Sequence, residues 1–357
     1  MIKNNCRYFL GDRPCEPHKQ YNVHCESCNY FQPIKERILI IKLGAAGDVI
    51  RTTPILHRLK KEYPSSSIAW LTDYPELLPK QVDEKVKYSE RSMGWITART
   101  FDLCYNLDKD REAIAIMERL KCKQKYGFGM DEYGKACALN PKAEHKLLTG
   151  VFNDMSKQNT KSYPQEIFEI CGYDYQGEKY IIDTISKRDF LIDRSNKIIG
   201  FNTGCGSRWP SRLWPMEYWR ELAEATSRAG LEYIWLGGPE EHERNTELQK
   251  NMGGKYFGVL PLQEYIALVG HCDLVVTQVT MTLHIALGMG KKVVLLNNIF
   301  NRHEFEMYDL GVIIEPEPLC GCYYSPVCPH DSMRSISPKK VMFEVLELLK
   351  NKHDLHT

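Results

Sequence analysis

An aspartate at the start of a helix is the residue in this sequence best placed for acid–base chemistry. Asp48 follows a β-prone run over residues 37–43 and a glycine-bearing turn at residues 44–47. Such a turn lets a ligand approach the backbone closely, beyond the carboxyl end of a strand. A carboxylate there could take the proton of an attacking hydroxyl. An acid also stabilises the first turn of a helix, so these residues alone leave both roles open.

A second glycine-bearing turn has the chemistry of an anion site. Residues 203–208 (Thr-Gly-Cys-Gly-Ser-Arg) follow another strand-like run and offer unhindered backbone N–H groups beside Arg208 and Arg212. Backbone N–H and guanidinium groups both bind phosphate oxygens. Glycine turns are common, however, and Arg212 alone would also suit a solvated cation at a helix start.

The first 35 residues contain a cluster of metal-ligand side chains. Cys25 and Cys28 form a Cys-x2-Cys pair, and Cys6, Cys15 and His18 precede them. The segment is too short and polar to build its own core, which a bound metal would compensate for. The alternatives are a redox pair or a loosely held tail.

The C-terminal part of the chain adds a second cluster, Cys320, Cys322 and Cys328. Disulfides do not persist in a reducing compartment, so dense thiols there indicate a metal. We therefore predict a structural metal, zinc or alternatively iron, in one shared site or in two. Most of the six isolated cysteines are expected to fill cores.

Composition restricts the class of protein. The 357 residues suggest two domains, and 43% apolar with 26% charged residues is typical of a soluble globular chain. A formal charge of +1 does not favour nucleic acid or a membrane surface as a partner. There is no apolar run long enough to span a membrane and no secretory signal, so we expect a cytoplasmic protein.

The pattern of elements predicts an α/β fold. A strand at 37–43, a helix at 48–63 and a strand at 67–72 make one βαβ unit, and a second α/β series starts at residue 197. Two doubly wound halves follow from this. Residues 1–35 show no helical or strand periodicity and are predicted to be a loop-built, cysteine-rich module. The predicted domains are 1–35, 36–185, 190–318, and a tail with a closing helix at 319–357.

Four motifs then occur in one order. They are GDVIRTTP (47–54), SRLWP (211–215), LGGPEE (236–241) and TMTLHIA (280–286). In this order they resemble the glycosyltransferase family 9 heptosyltransferases, over roughly residues 36–318. The resemblance implies the GT-B fold, with two Rossmann-like domains facing each other across a cleft. It also implies transfer of heptose from ADP-heptose with inversion and without a catalytic metal.

The resemblance assigns roles to individual positions. Asp48 matches the catalytic base, and Arg212 falls where the family has a basic residue, usually lysine, on the donor diphosphate. Glu241 aligns with an acid on the donor ribose, and Thr280, Met281 and His284 with the donor-binding turn. The full predicted donor-binding set is Gly47, Thr203, Gly204, Gly206, Ser207, Arg208, Arg212, Glu241, Thr280, Met281, His284 and Glu304.

One departure from the family pattern bears on the sugar. Val279 stands where the family has an aspartate, and Met281 where a glycine is usual. Either the sugar specificity differs, or a neighbour such as Gln278 or Glu304 supplies the missing polar group.

The partners implied are a nucleotide sugar and a glycan or protein acceptor, and both an oligomer and peripheral membrane contact are compatible with the sequence. Cysteines in the C-terminal region resemble those of the autotransporter heptosyltransferases, which favours the Cys320 cluster as the metal site. Two rival interpretations stay open: another nucleotide sugar on the same fold, or a catalytically inert sensor or partner-binding protein.

Overall fold

A computed structural model describes residues 1–350, which divide into two compact units. The first consists of Met1–Val151 and Pro164–Glu178, and the second of Phe152–Tyr163 and the chain from Lys179 onward. The chain therefore contributes a short segment to the second unit before it returns to the first. The domain boundaries predicted from the sequence contain no such excursion.

The first unit is built around a six-stranded sheet with the order β3-β2-β1-β4-β5-β6, in which only β6 pairs antiparallel. Up to the end of β6 its elements are α1 (Glu16–Tyr21), β1 (Arg37–Ile41), α2 (Ala46–Thr52), α3 (Ile55–Glu62), β2 (Ser67–Thr72), β3 (Glu84–Lys87), α4 (Glu90–Ala98), β4 (Thr100–Asn106), α5 (Arg111–Arg119), β5 (Lys121–Met130) and β6 (Ala136–Ala138). Three helices follow along the chain: α6 (Pro141–Val151), α7 (Asn153–Gln158) and α8 (Tyr163–Ile170). Of these, α7 lies in the segment that joins the second unit.

The second unit has an all-parallel sheet of six strands, in the order β12-β11-β10-β7-β8-β9. Its remaining elements are β7 (Ile198–Asn202), α9 (Met216–Arg228), β8 (Glu232–Leu236), α10 (His242–Met252), β9 (Lys255–Tyr256), α11 (Leu262–Gly270), β10 (Leu274–Gln278), α12 (Met281–Gly288), β11 (Lys292–Leu296), β12 (Gly311–Ile314) and α13 (Pro338–Lys350). The two doubly wound halves predicted from the sequence are confirmed.

Burial explains why the central strands are continuous apolar runs. In β1, residues 38–41 are fully buried, and β7 and β10 are buried along their whole length. A parallel strand covered on both faces selects branched apolar residues at every position. In the second unit, Trp214, Trp219 and Trp235 fill the core, and α13 packs on it through Val341 and Val345.

Two local predictions are wrong. The helix predicted over 48–63 is two helices, α2 and α3, because Pro54 lacks the N–H that a continuous helix would need. The module at 1–35, predicted as loops, contains α1, which starts after Cys15 with Pro17 in its first turn. Six residues are too few to produce a visible helical period.

The N-terminal module is attached to the first sheet by Arg7. Its guanidinium forms an ion pair with Asp83 and donates a hydrogen bond to the Ser66 carbonyl at 2.6 Å. Between residues 1 and 350, no helix is both long enough and apolar enough to cross a membrane.

Candidate active site

Asp48 lies in the first turn of α2, directly after the turn that follows β1. Its Oδ1 accepts a hydrogen bond from Arg51 Nε at 2.9 Å, and its Oδ2 lies 3.9 Å from Lys42 Nζ. The Ala45 N–H is 3.4 Å from Oδ2, at the start of the helix. The side chain is 32% exposed. The carboxylate is thus oriented by two cations while one face stays open to a reactant.

Lys42 is itself held by a buried ion pair. Its ammonium contacts Asp108, which follows β4, and the Leu43 N–H donates to the same carboxylate. Burial raises the pKa of Asp108, while the charge of Lys42 opposes that rise. The sequence analysis missed both residues. The signal was a lysine and an aspartate at the carboxyl ends of two strands that a doubly wound sheet makes neighbours.

In the second unit, Arg212 joins two turns. Its Nη2 donates to the Cys205 carbonyl at 2.6 Å and its Nη1 to the Val279 carbonyl, so the turn after β7 is tied to the turn after β10. The guanidinium lies over the Phe300 ring, 5.3 Å from its centroid. The side chain is buried, and burial lowers the pKa of Arg212. Within residues 1–350, this cation forms no ion pair with a carboxylate.

Glu241 lies against the same turn. A Cβ at Gly204 would fall 1.9 Å from Glu241 Oε1, so glycine is required for the carboxylate to lie there. The Gly238 N–H donates to its other oxygen at 2.8 Å. Arg244 and Asn245 on α10 bind the carbonyl and hydroxyl of Thr203, which fixes the turn from its other side.

The start of α12 lies beside the turn after β7 as well. Thr280 caps the helix by accepting from the Thr282 N–H at 3.2 Å, and the hydroxyls of Thr277 and Thr280 both donate to Asn202 Oδ1 at 2.8 Å. Met281 is the first residue of α12, and His284 is buried with its ring edge-on to Tyr180. Asn202, at the end of β7, was not predicted, because asparagine at a strand end carries no specific signal.

The two candidates for the missing polar group differ in their contacts. Gln278 is buried, and the carbonyls of Gly204 and Asn202 assign its amide orientation, with the nitrogen donating to them at 2.8 and 2.9 Å. Glu304 lies in a 3₁₀ turn, Arg302–Glu304, and accepts a hydrogen bond from Tyr324 Oη at 2.6 Å.

The structure therefore brings most of the predicted donor-binding residues together in the second unit. Gly47 lies in the first unit, in the turn of helix that carries Asp48. Gly206 adopts a φ of +73° with open space around it, and Ser207 lies 3.4 Å from Glu240 Oε1. Arg208 is exposed and lies over the Trp209 ring.

The two cysteine clusters have different geometries. The thiols of Cys320, Cys322 and Cys328 lie within 4.8 Å of one another, with 3.5 Å between Cys320 Sγ and Cys328 Sγ. The Cys322 N–H also points at Cys320 Sγ, at 3.3 Å. Thiolates bound tetrahedrally to zinc lie about 3.8 Å apart, so these three fit a metal and leave one position for a further ligand.

The N-terminal ligands are not assembled. No three of Cys6, Cys15, His18, Cys25 and Cys28 meet the same distance, since the tail thiols are the one such group found in residues 1–350. His18 Nδ1 lies instead 3.0 Å from the Val23 carbonyl. A metal at these five residues stays a prediction.

The two Rossmann-like units have the architecture of GT-B glycosyltransferases, with a carboxylate after the first strand of one unit and an arginine-backed glycine turn in the other. The sequence profile of glycosyltransferase family 9 (heptosyltransferase) matches residues 95–306. The chain belongs to this family.

Similar proteins agree with this assignment. The chain is 21% identical to lipopolysaccharide heptosyltransferase 2 of Salmonella typhimurium over 291 residues, which cover 73% of this chain and 82% of the relative. The structure of the Escherichia coli ADP-heptose lps heptosyltransferase II is similar, with a TM-score of 0.65 and 18% identity. The match covers 88% of this chain and 98% of that one. The structure of the iron-containing dodecameric glycosyltransferase TibC, from enterotoxigenic Escherichia coli, has a TM-score of 0.56 and 14% identity. That match covers 91% of this chain and 81% of TibC. The GT-B fold predicted from the sequence is thereby confirmed.

Proposed function

We propose that this glycosyltransferase moves a heptose from ADP-heptose to a hydroxyl acceptor, with inversion at the anomeric carbon. The observation that carries the proposal is the buried guanidinium of Arg212, which has only carbonyl oxygens as partners in the described part of the chain. A buried cation without an anion is unfavourable, and a diphosphate would compensate for it. The names of the Salmonella relative and of the E. coli structure support a heptose donor.

The donor would lie on the second unit. Backbone N–H groups of the 203–208 turn and of the start of α12 suit the diphosphate, and the carboxylate of Glu241 suits ribose hydroxyls. As the bond between the anomeric carbon and the diphosphate oxygen breaks, negative charge grows on the leaving ADP. Arg212 is placed beside this turn to stabilise that charge.

Asp48 would act on the acceptor. Its carboxylate takes the proton from the attacking hydroxyl while the hydroxyl oxygen forms the new bond to the anomeric carbon. Attack from the side opposite the leaving ADP inverts that carbon. Arg51 and Lys42 fix the carboxylate in position, and its exposed face gives the acceptor access.

Val279 favours a second candidate, the same reaction with a different nucleotide sugar. A valine cannot make the hydrogen bonds of the family aspartate, so sugar hydroxyls at that position would lose a partner. Glu304 is the residue we propose in its place, which keeps heptose as the first choice. The acceptor is a glycan or a protein hydroxyl.

We further propose that Cys320, Cys322 and Cys328 hold a structural metal and that catalysis needs none. TibC, similar in fold, contains iron and is a dodecamer, so iron is a candidate beside zinc, and an oligomer is part of the proposal. Elemental analysis of the wild type beside a Cys25→Ser/Cys28→Ser variant tests the N-terminal ligands. If the variant loses part of its metal, the protein has two sites. If its metal content equals that of the wild type, the metal is bound by the tail thiols alone.

Calorimetric titration with ADP, ADP-heptose, ADP-glucose, UDP-glucose and GDP-mannose tests the donor. We expect ADP to bind and ADP-heptose to bind best among the sugars. Anomeric analysis of the product tests inversion. Preference for a UDP or GDP sugar would overturn the donor assignment, and sugar-nucleotide binding without turnover for any acceptor hydroxyl would favour the inert sensor.

A further inference from the structure

The nine residues that contain the tail thiols, 320–328, form a loop that lies on the donor site of the second unit. We call it the thiol loop. Its Tyr324 N–H donates to the Ile299 carbonyl at 3.1 Å. Ser211, next to Arg212, donates from its N–H to the Pro326 carbonyl at 3.2 Å and from its hydroxyl to the Ser325 carbonyl at 2.6 Å. The thiol loop thus links the segment that carries Arg212 to the segment that carries Glu304.

Tyr324 makes the most direct contact with the proposed sugar site. Its hydroxyl donates to Glu304 Oε1, and its ring packs edge-on to Phe300 with 5.0 Å between centroids. Phe300 in turn carries the guanidinium of Arg212 on its face. One tyrosine therefore contacts both the carboxylate proposed for the sugar and the ring beneath the proposed diphosphate cation.

The neighbouring Tyr323 packs its ring edge-on to Tyr324, with 4.8 Å between centroids, but its hydroxyl has a separate partner. Tyr323 shares a hydrogen bond of 2.9 Å with Ser156 on α7, and Asn301 donates to the carbonyls of Ser156 and Asn159. Tyr323 contacts neither Glu304 nor Phe300 through any hydrogen bond or ring contact described for residues 1–350. It offers a matched control for Tyr324.

The thiol loop has little apolar burial to hold it. Val327 is 68% exposed, and Leu319, the residue before the loop, is 72% exposed, so neither contributes to a core. Loops of this kind lose their order readily unless they are cross-linked, and a metal held by thiolates supplies such a link. The three thiols close the thiol loop at both ends, with Tyr323 and Tyr324 between them.

We propose that the thiol centre at Cys320, Cys322 and Cys328 governs donor binding, because closing the thiol loop on a metal holds Tyr324 against Glu304 and Phe300. Tyr324 is then a positioning residue for the sugar contact and for Arg212. Metal and nucleotide sugar become coupled ligands, so each raises the affinity for the other by the same factor. The proposal rests on the proposed function, since it needs Glu304 and Arg212 in the donor site.

The first experiment removes the metal. The purified protein is stripped with a chelator under reducing conditions and then reloaded with Zn²⁺ or Fe²⁺, and the affinity for ADP is measured by calorimetry in all three states. We expect the affinity to fall about tenfold on stripping and to return on reloading, because the reloaded thiol loop restores the support of Arg212. Equal affinity in the stripped and loaded states overturns the proposal.

The second experiment keeps the metal and removes one hydroxyl. Tyr324→Phe is expected to retain full metal content and thermal stability, to bind ADP as the wild type does, and to bind ADP-heptose about tenfold more weakly. In turnover its KM for the donor should rise more than its kcat falls. Tyr323→Phe should match the wild type in both affinities. Equal effects of the two substitutions overturn the role of Tyr324.

The outcomes separate this inference from the proposed function. If ADP binds in a metal-dependent way while ADP-heptose gives no advantage over other sugars, the donor assignment fails and the coupling stands. If ADP-heptose is preferred but stripping changes neither affinity, the proposed function stands and the coupling fails. Cys137→Ser, at a half-buried thiol on β6 of the first unit, controls for the loss of a cysteine.

Discussion

The two sheets have one strand order but opposite charge arrangements at their central strands. Taken from the other edge, the second sheet runs β9-β8-β7-β10-β11-β12, which repeats the order β3-β2-β1-β4-β5-β6 of the first. After β1, the two cations Lys42 and Arg51 match the two carboxylates Asp48 and Asp108 within the unit. After β7, Arg212 is matched only by carbonyl oxygens in the described residues.

The difference shows how one topology supports two tasks. In both units the first strand leads into a turn at the edge where a doubly wound sheet binds ligands. A carboxylate that is already paired can act on a neutral hydroxyl, whereas a cation without an anion suits a charged nucleotide. In the proposed function, residue types on equivalent turns, rather than the strand order, assign acceptor chemistry to one unit and donor binding to the other.

Replacing Asp48 by asparagine should have the largest effect. The variant keeps the shape of the side chain but cannot take a proton, so we expect transfer to slow by about 10²–10⁴-fold. ADP affinity should stay at the wild-type value, since the base acts on the acceptor. Steady-state turnover and calorimetry measure the two effects.

Asp131→Asn is the control, because within residues 1–350 the Asp131 carboxylate accepts only backbone hydrogen bonds in a turn, which asparagine can also accept. A fully active Asp48→Asn variant would remove the base from the first unit and end the division of tasks proposed above.

Arg212→Ala should weaken binding of ADP by about 10–100-fold, the loss expected for a charge-assisted contact. The ADP affinity of Arg212→Lys should lie between those of the wild type and Arg212→Ala. Lysine keeps the charge but lacks the forked guanidinium that reaches both Cys205 and Val279. Arg220→Ala on α9, where the arginine pairs with Glu247 near the surface, should bind ADP normally. An Arg212→Ala variant with wild-type ADP affinity would show that the buried cation has no anionic ligand.

Gly204→Ala tests the contact between the turn and Glu241 and should have a smaller effect. The new methyl group would displace Glu241, so we expect donor affinity to fall several-fold with little change in melting temperature, because the displaced group is a flexible side chain. Gly238→Ala is the matched control, since a Cβ there lies 3.6 Å from the same carboxylate, an ordinary contact. Equal affinities for the two variants would contradict a donor role for Glu241.

Sequence patterns predicted the fold where burial dictates residue type. Strand β2 occupies the predicted residues 67–72, because a fully buried strand leaves a continuous apolar run. The segment Phe152–Tyr163 was not predicted to join the second unit, because its attachment includes hydrogen bonds to Asn301 and Tyr323, which are distant in sequence. Long-range contacts of this kind leave no periodicity.

The candidate site follows the same rule. Turn glycines and the residues of the four motifs were visible in the sequence, and most of the predicted donor-binding residues lie together. The partners that fix them, Lys42, Asp108 and Asn202, were not visible, because each depends on which strands become neighbours. The three tail thiols, which are close in sequence, also lie together in the structure. The N-terminal ligands do not, and up to nine residues separate their consecutive cysteines.

The smallest expected effect concerns stability rather than turnover, and it adds a further cation to the charge comparison. Lys109 follows Asp108, and burial first, then the charge of Lys146, lowers its pKa to about 8. Its ammonium donates to the Lys146 carbonyl at 3.1 Å. The ordinary lysine pKa is about 10.4, so between pH 8 and 10 the unfolded chain binds more protons than the folded one. The free energy of unfolding should therefore rise with pH through this window.

Lys109→Met removes this contribution. Measured by chemical denaturation at pH 7.5 and pH 9.5, the wild type should gain about 1–3 kcal/mol relative to this variant as pH rises. Lys121→Met, at an exposed lysine on β5, should follow the wild type. If the free energies of unfolding of the wild type and Lys109→Met change equally with pH, Lys109 has an ordinary pKa and remains charged. The first unit would then hold one cation beyond the matched set of Lys42, Arg51, Asp48 and Asp108, and the contrast with Arg212 would weaken accordingly.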